Sequence, residues 1–351
     1  MNNKSFGLDI GATTIKAVWL SYEKNGFIFN SSLMFPTPPK GMLSESLLDQ
    51  EEMAQAIKKV VDTAKITTKN VNIALAENQV YTKVIEMPVL SDKELSSAIY
   101  WEAEQYIPVP LSNVSLVWNV LKRPVKTQGE TNEKMQVLMV GAPTMIINKY
   151  QKVLTMAGLN VVSIETEILS AIRSLTYSSG ASRENFPPSV VLSIGAVSTG
   201  IAIIREGVLI FTYSIPTGGA AINRAIESDF GLTQSQSEEY KRVYGVSSVG
   251  VGGKIGKTIE PILGSILTEV KKTLAFYSQK YKDDKPIQQI LLAGGTAKLP
   301  GIDLFFANNL GIETAIANPW KVLVSQQVPK EILDNASDYA IAVGLAMRGY
   351  E

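Results

Sequence analysis

The chain has 351 residues, 45% of them apolar and 19% charged, with Lys plus Arg and Asp plus Glu balanced at 33 each. That length exceeds what one hydrophobic core usually serves, so two lobes are expected, and the zero balance argues against non-specific nucleic-acid binding and gives no basic arm for a membrane. With no cysteine and no histidine, thiolate and imidazole chemistry, Cys/His zinc sites and disulfides are excluded, which leaves carboxylates, lysine, hydroxyls, backbone amides and an oxygen-held metal such as Mg²⁺.

No run of about eighteen apolar residues is present, so no membrane span is expected. The stretch Met1 to Gly11 lacks the apolar centre of a signal peptide, which points to the cytoplasm. In chain order, Phe6–Leu20 reads as strand, tight Ile10-Gly11-Ala12 turn, strand, and a Gly turn at Asn25-Gly26 leads to a third strand over 27–33. Gly11 lets backbone amides approach a phosphate, Thr13 and Thr14 add hydroxyls and Lys16 adds a positive charge. Asp9 ends the first strand, where it can hold Mg²⁺ through the metal's waters.

Asp49–Glu52 reads as a capping box opening a helix to about Lys65, followed by strands at 71–76 and 79–87. A second capping box, Ser91–Glu94, starts a helix to Tyr106 with Leu95, Ile99, Glu102 and Tyr106 on one face. Ile107-Pro-Val-Pro110 ends it, because proline cannot continue a helix. Strands at 114–122 and 135–142 flank a polar, exposed loop at 126–134, and a helix at 144–157 completes a small inserted unit.

The first hairpin then recurs. Val190–Ile204 again reads strand, Ile194-Gly195-Ala196 turn with Ser198, strand, and Glu206-Gly207 leads into a third strand over 208–215. Two copies of one motif at this distance indicate duplicated lobes. Gly218 and Gly219 open a helix over 220–230 and can approach phosphate or ribose, and Ser237–Lys241 offers Glu238 to ribose hydroxyls and Lys241 to adenine. Gly245–Gly256 reads as a flexible loop, and a helix over 262–282 carries Leu263, Leu267, Val270, Leu274 and Tyr277 at core spacing. Ile290–Ala293 is a buried strand, and Gly294, Gly295 and Thr296 form a turn against which a flat ring can lie.

These motifs resemble the actin superfamily. Asp9, Gly11 and Lys16 match its first phosphate loop, and Ser193, Gly195 and Ala196 fall on its second. Gly294, Gly295 and Thr296 match its adenosine motif, and Glu165–Tyr177 and Ala340–Ala346 look like its two connecting helices. The resemblance implies an α/β, actin-like (ribonuclease H-like) two-lobe fold of four subdomains with ATP and Mg²⁺ in the cleft. The first lobe core (1A) takes 1–80, 158–185 and 319–351; the inserted subdomain (1C) takes 81–157. The second lobe core (2A) takes 186–222 and 286–318, and its accessory subdomain (2B) takes 223–285.

Met87-Pro88 and Trp101–Pro110 further resemble the PilM family of type IV pilus assembly proteins. That implies a scaffold or switch held at the inner membrane through a partner, binding the cytoplasmic tail of a PilN-like bitopic membrane protein beside the insert, with Glu102, Tyr106 and Ile107 as contacts. Other pilus platform proteins are expected partners, a homo-oligomer is compatible with the reading, and nucleic acid and direct membrane insertion are not expected. The family's second phosphate loop usually begins with Asp where this chain has Ser193, which implies slow or absent hydrolysis, with Asp9 as the catalytic carboxylate on the metal and Glu165 or Glu167 left to orient water. An FtsA-like filament-forming division protein and, more distantly, a small-molecule kinase are the alternatives.

Overall fold

The computed structural model describes residues 5–23, 26–124, 134–177, 185–246, 250–282, 284–324 and 328–350. Asn25 and nearly all of the loop read at 126–134 lie outside the described residues. The chain opens with β1 (Phe6–Ile10), β2 (Thr14–Glu23) and β3 (Gly26–Pro36), an antiparallel meander, and α1 (Leu47–Thr63) returns it to β4 (Asn70–Leu75), parallel to β1. An insert follows: β5 (Tyr81–Met87), α2 (Asp92–Tyr106), β6 (Val114–Lys122), β7 (Met135–Pro143) and α3 (Thr144–Met156). Then β8 (Asn160–Thr166) lies parallel to β4, and α4 (Glu167–Thr176) crosses to the second lobe.

There β9 (Ser189–Ile194), β10 (Thr199–Arg205) and β11 (Val208–Ile215) repeat the meander. After α5 (Gly219–Phe230), α6 (Gln234–Tyr244) and α7 (Gly250–Lys280) come β12 (Gln289–Ala293), α8 (Ile302–Leu310) and β13 (Glu313–Ile316). A short α9 (Lys330–Leu333) precedes α10 (Ala340–Arg348), which packs back on β1 of the first lobe. The sheet orders are β3-β2-β1-β4-β8 and β11-β10-β9-β12-β13, with a separate three-stranded sheet β5-β7-β6 in the insert. In both larger sheets the first three strands run antiparallel and the last two are parallel, so the repeated hairpin is the visible part of a repeated lobe.

The mixed α/β actin-like fold read from sequence is the observed one. Three local readings are corrected. The α1 helix starts at Leu47 with Ser46 at its cap, and Asp49 is inside the first turn, where it accepts a hydrogen bond from the Ser44 hydroxyl. The capping box at Ser91–Glu94 does form, with Ser91 and Glu94 each holding the other's backbone N–H. The loop read at 245–256 is helical from Gly250 onward, because Ile255, Ile259, Leu263, Ile266 and Val270 bury one stripe completely. That burial outweighs the roughly 1 kcal/mol that each glycine costs a helix. Finally, α3 packs Tyr150, Val153 and Leu154 into the core of the first lobe, whereas the insert's own core is built from Ile85, Leu95, Ile99, Ile107, Val137 and Met139.

The two lobes meet where α4 crosses α10. Small residues line the crossing: Ala171, Ala293, Ala317 and Ala340 form one cluster. The Ser170 and Ser174 hydroxyls donate to the Ile341 and Ala340 carbonyls at 2.8 and 2.7 Å. A Cβ on Gly344 would overlap the Ser170 carbonyl. Gly344→Ala is therefore expected to lose about 3 kcal/mol, read as a lower urea midpoint. Gly264→Ala in α7, whose Cβ meets open space, should instead gain up to about 1 kcal/mol.

Candidate functional site

The β1–β2 register sets Asp9 directly opposite Lys16. Their side chains pair at 3.0 Å between Nζ and Oδ2, and both residues are nearly buried. Burial works against the Lys16 charge, but the carboxylates of Asp9, Asp338 and Glu167 outweigh it and hold the pKa above the ordinary lysine value. The turn above the pair closes by Gly11 N–H to the Thr14 carbonyl at 3.1 Å, leaving Ala12 and Thr13 exposed at its tip. Thr37 clamps this turn from β3's end, donating its hydroxyl to the Gly11 carbonyl at 2.7 Å and its N–H to the Thr13 carbonyl at 3.0 Å.

The second turn has the same closure, Gly195 N–H to the Ser198 carbonyl at 2.9 Å. Here Ser193 and Gly200 occupy the facing positions that Asp9 and Lys16 occupy in the first lobe. Two glycine segments, 218–220 and 294–296, converge on this turn. Gly219 N–H donates to the Gly195 carbonyl at 2.9 Å, Ala220 N–H to the Ala196 carbonyl at 2.8 Å, and the Thr296 hydroxyl to the Gly195 carbonyl at 3.1 Å. A Cβ on Gly218 would sit 2.5 Å from the Gly195 carbonyl oxygen, and one on Gly294 2.5 Å from the Ile194 carbonyl oxygen, at a left-handed φ of 87°. Neither position accepts a side chain. Gly295 lies against Asp338, whose Oδ1 would be 2.9 Å from an added Cβ.

On α6, Lys241 pairs with Glu238 at 2.6 Å, and the Asn223 amide donates to the same Glu238 oxygen at 2.7 Å. Burial raises the Glu238 pKa, and the hydrogen bonds from Lys241 and Asn223 more than reverse it, leaving it below the usual carboxylate value. The Lys241 ammonium lies 3.5 Å from where a Cβ on Gly219 would be. Thus Gly195, Ala196, Gly218, Gly219, Glu238, Lys241 and Thr296 form one wall, and Gly294 and Gly295 continue it.

Glu167 is the first residue of α4. Burial and the neighbouring carboxylates Asp9 and Glu77 push its pKa up to about 8, with Lys16 pulling the other way. Glu165 is a different matter. It lies at the end of β8, not on a helix, and accepts from Arg173 at 2.7 Å with Arg348 at 3.8 Å, so its charge ties α4 to α10 and is not free to orient water.

Two acidic residues were not singled out from sequence. Asp338 pairs with Lys298 at 2.5 Å and adds to the field on Lys16. Glu77 caps the start of α4, accepting the Ile168 N–H at 3.1 Å, and burial pushes its pKa to about 7. Neither lies in a motif; only the chain fold brings them to the cleft.

In the insert, Glu102 is half-buried and Tyr106 is exposed on α2. The Tyr106 hydroxyl donates to the Thr82 carbonyl at 3.2 Å, and the Lys83 ammonium lies 4.8 Å over its ring. Ile107 is only 4% exposed and fills the insert core against Gly141, so it supports a binding surface and does not present one.

Comparison with known proteins places this architecture. The family model for type IV pilus assembly protein PilM matches residues 7–350. The chain is 23% identical to the cell division protein FtsA of Streptococcus pneumoniae serotype 2 (strain D39), covering 90% of this chain and 76% of that one. Among solved structures, a PilM-PilN type IV pilus biogenesis complex superposes with a TM-score of 0.85 at 29% identity, over all of both chains. MreB5 of Spiroplasma citri bound to ADP gives 0.52 at 15% identity, covering 97% and 94%, a likeness of fold alone.

Proposed function

The chain belongs to the type IV pilus assembly protein PilM family, and on that premise we propose that it is an ATP-binding actin-like scaffold or switch whose insert captures the cytoplasmic tail of a PilN-like membrane protein. The observation that carries the reading is the 0.85 superposition on the PilM-PilN complex, which extends over the whole chain and so includes the insert. No described helix is long and apolar enough to cross a membrane, so attachment to the inner membrane runs through that partner. Other platform proteins and self-association belong to the same reading.

Nucleotide binding is supported by the wall of glycines around Gly195 and by related folds solved with ADP and AMPPNP. Lys16 would meet phosphate, Glu238 ribose and Lys241 the base. Among the described residues no three acidic side chains gather as a metal cluster. Asp9 suits Mg²⁺, an ion that keeps several waters and draws its other oxygens from phosphate. When bound, the metal would supply charge neutralisation to the phosphates. The protein's own part is to hold those phosphates with Lys16 and the turn amides, and to exclude water where α4 and α10 close the floor.

The tail reading is tested by titrating a synthetic PilN-like tail into Glu102→Ala and Tyr106→Ala proteins. Removing a central aromatic anchor typically costs about 2 kcal/mol or more, so Tyr106→Ala should weaken tail binding at least tenfold while ATP binding stays intact. Unchanged tail affinity in both variants would place the groove elsewhere on the surface.

A further inference from the structure

Between the insert and the second lobe lies a cavity of about 260 Å³. It opens between β5 and β11, each an outer strand of its own sheet. Glu77, Thr82, Tyr106, Thr212 and Ser214 are among its lining residues. The polar groups here are poorly matched. The hydroxyls of Thr82, Thr212 and Ser214 are buried and make no hydrogen bond of normal length. Thr82 is 8% exposed and Glu77 9%.

Buried hydroxyls and carboxyls normally find partners, since leaving them without one is costly. Glu77 accepts the Ile168 N–H at 3.1 Å, and the side chains of Thr166 and Thr82 lie beside its carboxyl. Among the described ion pairs it has no lysine or arginine. The ionisable groups that face it are Glu167 on α4 and Tyr106 on α2, neither of them a cation.

The internal repeat shows what is missing. In the first lobe, Lys16 stands opposite Asp9 on the hairpin. Its counterpart in the second lobe is Gly200, opposite Ser193. A Cβ on Gly200 would lie 3.7 Å from the Glu77 Cγ. The second hairpin thus carries glycine, not lysine, beside a buried carboxyl that has no lysine or arginine among the described ion pairs. Thr82, Thr212 and Ser214 line the adjoining space, and a guest with several N–H donors offers partners to their oxygens. A cation beside Glu77 favours the charged carboxylate that burial disfavours, and an anion does not.

We propose that this cavity is a receptor site for one cationic nitrogen group, an ammonium or a guanidinium, paired with Glu77 and held by the hydroxyls of Thr82, Thr212 and Ser214. The site stands whether or not the membrane-protein tail uses the same side of the insert. It is tested on the full-length chain by NMR titration with ethylguanidinium, and with ethylurea as its neutral counterpart, at constant ionic strength. Ethylguanidinium should bind saturably and ethylurea should not. Glu77→Gln, which keeps shape and hydrogen bonding but removes the charge, should weaken binding at least tenfold, and Thr82→Val severalfold.

Equal binding of ethylurea, or affinity indifferent to both substitutions, overturns the proposal. Spermidine and a capped Gly-Arg-Gly peptide then compete for ethylguanidinium. The tighter competitor identifies a free polyamine or a partner's side chain as the source, and failure of both to compete overturns the site. Tail capture that persists while these titrations fail leaves the pilus-assembly reading untouched.

Discussion

Replacing Lys16 with Ala is expected to weaken ATP binding ten- to a hundredfold and to destabilise the free protein at the same time. The two effects share one cause. The β1–β2 register puts the Lys16 ammonium 3.0 Å from Asp9 in a nearly buried site. A charge-assisted contact to phosphate is worth about 1.5–3 kcal/mol, which is that affinity range at 1.4 kcal/mol per decade. Removing one partner of a buried pair leaves the other charged and unpaired, at a typical cost of 3–5 kcal/mol. The double variant Asp9→Asn, Lys16→Ala separates the two, because it should recover most of the stability and none of the nucleotide affinity. Calorimetry finding wild-type ATP affinity in Lys16→Ala would show that the cleft is not the nucleotide site.

Why the lobes were legible while part of the site was not follows from what local sequence encodes. A hairpin whose turn closes Gly11 N–H onto Thr14, and again Gly195 N–H onto Ser198, needs glycine and hydroxyls at fixed spacing, so its two copies can be recognised by eye. The Asp9–Lys16 pair is legible for the same reason, since seven residues across a tight turn face each other in an antiparallel register.

Glu77 and Asp338 follow no such rule. Glu77 reaches α4 by a contact spanning 91 residues of sequence, and Asp338 approaches Gly295 only because α10 returns to the first lobe. Glu165 was misread because α4 begins at Glu167, two residues later than the connecting-helix analogy placed it, and on β8 the Glu165 carboxylate pairs with Arg173. The start of α7 was missed because glycines read as loop, while Ile255 and Ile259 bury completely against the second lobe.

ATP is expected to be bound and turned over slowly, and the pseudo-symmetric hairpins give the reason. In the first lobe the positions flanking the turn carry Asp9 and Lys16; in the second the same positions carry Ser193 and Gly200. The second hairpin therefore brings no charge of its own to the phosphate turn, and electrostatic positioning supplies most of the catalysis in phosphoryl transfer. Loss of one such group commonly costs about 10²–10³ in rate. The remaining acceptor for a water proton is Glu167, which burial, Asp9 and Glu77 push up to about 8. Below that pH it is protonated and cannot accept, so the single-turnover rate should rise with pH towards about 8 and then level. Glu167→Gln should flatten the profile at the lower rate, and Glu165→Gln should leave the profile as it is while lowering stability, because Arg173 and Arg348 lose the carboxylate charge between them. Ser193→Asp restores a carboxylate at the matching position and should raise the rate about tenfold or more. Brisk turnover by the natural chain, indifferent to both Ser193 and Glu167, would move the chemistry to other residues of the cleft.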